Sequence, residues 1–121
     1  MIAANELRIG NWVMYDNRLF QIEAISRSLP CLNTDEFGIG VVDWNNINPI
    51  PLTPEILEKC GFDRNCILKI YQGVNIEWSY GKEVWLTKEG EVIYEFENTQ
   101  HLHQLQNLYF ALTNEELNYT P

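Results

Sequence analysis

The stretch "PIPLTPEILEKCGFD", Pro49 to Asp63, sets three prolines before a short helical phrase and a glycine after it. Pro49 and Pro51 each remove a backbone donor and push the preceding residue out of the helical region, so the chain arrives extended. Thr53 then has the side chain of an N-cap, Pro54 suits the first helical position, and Glu55 favours the positive helix end. Gly61 can take the left-handed conformation that stops the helix, which lets Phe62 touch Leu57 across a Schellman-type cap. Local chemistry thus predicts a two-turn connector with a fixed exit direction. A flexible linker would be rich in Gly and Ser or in charge. Cys60 falls at the end of this helix. A nucleophilic thiol there would need an electropositive setting, and none is visible, so it reads as a small residue on the apolar face with Ile56 and Leu57.

Upstream of the connector, residues 1–52 are strand-like. "RIGNWVMY" and "RLFQIEAI" are β-rich runs joined by Asp16-Asn17, a pair that tolerates the positive φ of a tight hairpin. The polar loop "NTDEFG" precedes a further strand, "IGVVDW". Short strands punctuated by Gly and Pro predict a small, half-open antiparallel barrel.

Downstream, residues 53–121 open with the connector, and Cys66 to Phe96 reads as a four-strand meander. Three-residue loops at Tyr71-Gln72-Gly73, Gly81-Lys82-Glu83 and Lys88-Glu89-Gly90 give one consistent register. It sets Leu68 opposite Ile76, Trp78 opposite Leu86, Leu86 opposite Val92 and Val84 opposite Tyr94. One face then collects the bulky apolar residues. The other carries Lys69, Asn75, Glu77, Ser79, Thr87, Glu91 and Glu95, with Trp85 and Ile93 facing each other among them. That pair is either packed locally or a small apolar patch for a partner or a second copy, and Lys69 and Glu77 flank it as a candidate interaction surface. The end, "NTQHLHQLQNLYFALTNEEL", predicts an amphipathic helix capped by Asn98 or Thr99. Its stripe of Leu102, Leu105, Tyr109 and Leu112 is expected to cover the meander, and Thr113 to Glu116 has the form of a box for one more short turn. The fold class is therefore α+β, within one compact domain of 121 residues.

The composition narrows the function. Acids outnumber bases 17 to 8, for a formal charge of −9, and both halves share the excess, so no basic stripe tracks a nucleic-acid backbone. No apolar run is long enough to cross a bilayer, and "MIAANELRIG" lacks the features of a secretory leader, which predicts a cytoplasmic protein with no membrane partner. Three cysteines with no CxxC pair read as reduced and structural. His101 and His103 are two positions apart, about 200° around a helix, so they cannot grip one metal and read as polar residues at the helix start. Gly38-Ile39-Gly40 is no dinucleotide fingerprint, and no phosphate-cradling loop occurs. No metal, cofactor or catalytic constellation is expected.

Three phrases, "NELRIGNWV", "PIPLTPEILEKCGF" and "HLHQLQNLYFALTNEEL", resemble a family of small uncharacterised proteins of Bacteroidetes phages and prophages. The resemblance spans nearly the whole chain and implies an accessory role in a bacterial host cell. With no activity attached to the family, it transfers no functional residues. The leading expectation is a non-catalytic protein that binds and inhibits a host or defence protein, its acidity suited to a basic partner surface. The Trp85/Ile93 pair adds homo-oligomerisation as a further expectation. The alternative is a small-ligand binder that sequesters a nucleotide-type signal, with Trp12 and Trp44 stacking a base and Arg8, Arg18 or Arg27 holding phosphates. An enzyme without a recognisable motif is a weaker third.

Overall fold

The computed structural model describes residues 2, 6–26, 29–34, 38–41, 44–79, 83–97 and 99–121. The chain forms two compact units, with the boundary between Ile50 and Pro51. Residues 101–107 belong to the first unit and residues 108–121 to the second. The class is α+β, and the two strand regions make separate antiparallel sheets.

The first unit is an open five-stranded sheet. Its strands are β1 (Trp12–Tyr15), β2 (Arg18–Ser26), β3 (Leu29–Thr34), β4 (Gly38–Val41) and β5 (Ile47–Asn48), ordered β4-β3-β2-β1-β5. Asp16 and Asn17 adopt φ of 52° and 60° and close the β1–β2 hairpin, with Tyr15 opposite Arg18. Both conformations are left-handed, which the short Asx side chains tolerate better than other residues. A bulge between Ile22 and Ala24 lets the long β2 serve both β1 and β3. Ile2, Leu7, Val13, Ile22, Leu32 and Ile47 form the core, and Tyr15 and Phe20 pack on it edge to face.

The second unit opens with α1 (Pro54–Lys59), whose two ends are as the local chemistry predicts. Thr53 Oγ1 accepts the Ile56 N–H at 3.2 Å. Gly61, at φ 95°, donates to the Glu58 carbonyl and Phe62 to the Leu57 carbonyl, the two bonds of a Schellman cap. Leu57 and Phe62 are buried, as is Cys60 between them.

Four strands follow: β6 (Ile67–Tyr71), β7 (Val74–Ser79), β8 (Glu83–Lys88) and β9 (Glu91–Phe96), in meander order. Their register departs from expectation in an instructive way. Leu68 does face Ile76, but Trp78 faces Val84, Ile76 faces Leu86, and Leu86 faces Tyr94. The last two hairpins are thus shifted by two residues, which preserves the face of the side chains outside the bulges because the strand period is two. The turns at Gln72-Gly73 and Glu89-Gly90 hold two residues instead of three, and a bulge beside each restores the parity. Glu89 and Gly90, at φ 52° and 86°, make the turn that a twisted hairpin prefers. The second bulge transfers Val92 to the polar face, opposite Thr87, and sets Ile93 at the irregularity itself. Trp85 and Ile93 are therefore not opposite each other; Trp85 faces Glu95.

The last helix, α2 (Leu102–Thr113), also differs from expectation. It starts at Leu102, beyond Thr99, with His101 in the cap position and Gln104 Oε1 accepting the His101 N–H at 3.1 Å, while Asn98 lies outside the described residues. Its buried residues, Leu102, His103, Leu105 and Gln106, all lie in the half that joins the first unit. The second half belongs to the unit of the meander, where the Tyr71 hydroxyl donates to the Leu112 carbonyl at 2.8 Å. Asn114, at φ 58°, ends the helix, and Thr113 Oγ1 turns back to the Tyr109 carbonyl, so no further helical turn follows.

Candidate functional site

In the second unit, apolar cover stops short of the sheet edge. Ile76 and Val84 on the central strands are fully buried, and Leu86 is half-buried. On β9, Val92, Ile93 and Tyr94 are 44%, 52% and 60% exposed. The expectation that α2 shields the whole apolar face fails at this strand, where Tyr94, on the face of Leu86, is the most exposed of the three; only residues 108–113 of the helix belong to this unit.

The polar face of this sheet is ordered into rows by the strand pairing. Ile67, Glu77, Trp85 and Glu95 form one row across four strands, and Lys69, Asn75, Thr87 and Val92 form the next. Three of the predicted surface residues, Lys69, Glu77 and Trp85, thus share a face. Ile93 lies off that row, at the bulge. Trp85 is half-buried with its indole N–H lacking a hydrogen-bond partner among the described residues, flanked by the carboxylate side chains of Glu77 and Glu95. Beyond it, Glu83, Glu95 and Glu97 bring carboxylate oxygens within 4.8 Å of one another. Sequence inspection places Glu95 on this face but does not gather the three acids, because the shift in register that does so is not encoded in periodicity.

The candidate ligand contacts of the first unit serve other partners. The Arg8 guanidinium donates through Nε to Asn107 Oδ1 at 2.8 Å and reaches the Gln106 carbonyl at 3.4 Å. The Trp12 N–H donates to Gln106 Oε1 at 2.8 Å. Gln106 Nε2 returns to the Gly10 carbonyl, Asn107 Nδ2 to the Glu6 carbonyl, and buried Asn11 joins Asn107 through its own amide. Two helical amides thereby satisfy the backbone of the Glu6–Trp12 segment, a polar clasp that the sequence presents only as the hydrophilic side of a helix. Arg18 is exposed and lies over Phe20, 5.3 Å from the ring centre. Trp44 opens a short 3-10 turn (Trp44–Asn46), its side chain outside the described residues, as is Arg27. Nothing described draws Arg8, Arg18 and Trp12 around one cavity.

His103 is buried, contrary to its expected place on the surface. His101 precedes the helix, so the angular separation of two helical positions does not apply, and the two rings stack with centres 6.0 Å apart. Burial pushes the His103 pKa down, opposed by the Glu6 carboxylate 3.6 Å from Nε2. The Cys60 thiol is pushed up to about 12 by burial, and Cys66 is also raised by burial and by Asp63. A thiol at that value is protonated at neutral pH and is a poor nucleophile. A hollow of about 490 Å³ beside α1 is lined by Pro54, Glu58, Phe62, Asp63, Arg64 and Cys66 among others. No helix among the described residues is long and apolar enough to cross a membrane.

No protein-family model matches the chain, and no curated protein or solved structure matches it either.

Proposed function

We propose that this chain is a non-catalytic interaction protein that engages a partner protein through the β9 side of its second sheet. The observation that carries this is the set of exposed residues Val92, Ile93 and Tyr94 on a strand with no further strand paired on its outer side among the described residues. An edge strand with exposed apolar side chains is an aggregation hazard that folded proteins cover or blunt, and here Val92 and Tyr94 leave apolar surface open on either side of the strand. The resemblance to small phage and prophage proteins makes a host or defence protein the class of partner, and the accessory role one of inhibition. The nucleotide-binding alternative has less support, since the Arg8 guanidinium is spent on the clasp.

The test combines Val92→Thr, Ile93→Thr and Tyr94→Thr, keeping β-propensity while removing apolar surface. Recovery of a specific partner from host lysate is expected to fall to background, with the unfolding midpoint little changed. Undiminished recovery by the triple variant contradicts the proposal.

A further inference from the structure

A hollow of about 440 Å³ adjoins β9 and is lined by Tyr94, Glu95, Phe96, Glu97 and Thr99. Successive strand residues point to opposite faces, so a hollow touched by all of residues 94–97 runs along the rim of the strand, not over one face. That rim is the outer side of the sheet. On one side of it the Tyr94 and Phe96 rings lie 4.8 Å apart. On the other lie Glu95 and Glu97, with Glu83 of β8 beside them, their carboxylates within 4.8 Å of each other. No described Lys or Arg pairs with these three acids.

We infer that the free edge of β9 accepts an extended basic segment of the partner protein by strand addition. The inference rests on the protein-binding proposal above and names its chemistry. Edge N–H and C=O groups supply the main-chain ladder, and alternate side chains supply specificity. Lys or Arg at every second position of the incoming strand faces Glu95, Glu97 and Glu83. The residues between them, apolar or aromatic, lie against Tyr94 and Phe96. The bulge at Ile93 breaks the regular edge, which confines the ladder to the Tyr94–Glu97 side, where the hollow lies. Charge argues against a second copy of this chain as the occupant. Antiparallel pairing of two β9 strands about Ile93 would set Glu91 against Glu95 twice, between molecules of formal charge −9.

The probe is a synthetic peptide alternating Lys with Val and Tyr, titrated into the ¹⁵N-labelled full chain. A second peptide carrying Glu for every Lys is the control. The Lys peptide is expected to shift the amides of Tyr94–Glu97 and of Val84 and Trp85 most, to weaken as salt rises, and to leave the Glu peptide without effect. Glu95→Lys with Glu97→Lys is expected to weaken binding about tenfold or more. Glu55→Lys with Glu58→Lys, which changes the net charge equally on exposed positions of α1, is expected to change it by less than about twofold. An equal loss from both pairs, or shifts centred elsewhere, overturns the inference. So does calcium alone moving the three glutamates while the peptide does not, or concentration-dependent dimerisation through β9. If the peptide fails while partner recovery still depends on Val92–Tyr94, strand addition falls and protein binding stands. If neither depends on β9, both fall.

Discussion

Replacing Gln106 by Met is expected to destabilise the first unit severely while conserving shape. Gln106 is 1% exposed and makes two bonds through its side chain, accepting from the Trp12 N–H at 2.8 Å and donating to the Gly10 carbonyl at 3.1 Å. Methionine has nearly the same length and volume, so packing loss is small. The Gly10 carbonyl keeps a second donor, Gln21 Nε2 at 3.0 Å, and loses only one bond of about 1 kcal/mol. The Trp12 N–H is left without that acceptor at a desolvation cost of roughly 1–3 kcal/mol. The sum is about 2–4 kcal/mol, a large share of the stability of a domain this size. In urea it lowers the midpoint by about 1–2 M at a typical slope. Gln21→Met is the matched comparison: it removes a bond to the same carbonyl, but from an exposed side chain that water replaces, and should cost less than about 0.5 kcal/mol. Equal midpoints for the two variants would refute the claim that the clasp holds the N-terminal segment to the helix.

Acidification provides a second expectation. The folded pKa of His103 lies below its unfolded value, so as pH falls through about 6.5 the unfolded state takes up a proton that the folded state refuses, and stability drops by at most about 1.4 kcal/mol per pH unit. Urea midpoints at pH 7.5 and 5.5 should converge in His103→Met relative to the native chain. Cys60 should resist iodoacetamide at pH 7.5 and react only in denaturant, as mass spectrometry after timed quenching will show; rapid labelling of the folded protein would contradict its burial. Glu89→Asn should stabilise the second unit by roughly 0.5–1 kcal/mol, because Asn suffers less than Glu at φ 52°. An unchanged or lower midpoint would speak against the two-residue turn.

The elements with local punctuation were legible in the sequence. The Asp16-Asn17 hairpin and both caps of α1 depend on residues within five positions of one another, and each forms as their chemistry dictates. The face of most meander residues was also legible, because a two-residue register shift leaves alternation unchanged. Bulges were not, and one bulge moved Val92 across the sheet and separated Ile93 from Trp85. The helical stripe gave the position of Leu102 and Leu105 as core, yet could not show that this half packs in the first unit. Nor could it show that Gln106, His103 and Asn107 face inward or toward backbone, since a polar residue with distant partners looks like any polar residue. The open edge of β9 follows from its place at the end of the strand order, which the sequence shows only as the last run of the meander.

Amide hydrogen exchange on the free protein measures that edge most directly. Alternate amides of Glu91–Phe96, those aimed away from β8, should exchange fast, while the amides of β7 and β8 stay protected up to the stability of the unit. Protection of every β9 amide at the level of β8, in a protein shown monomeric in the same sample, would mean the strand already has a cover and leaves no room for an incoming partner.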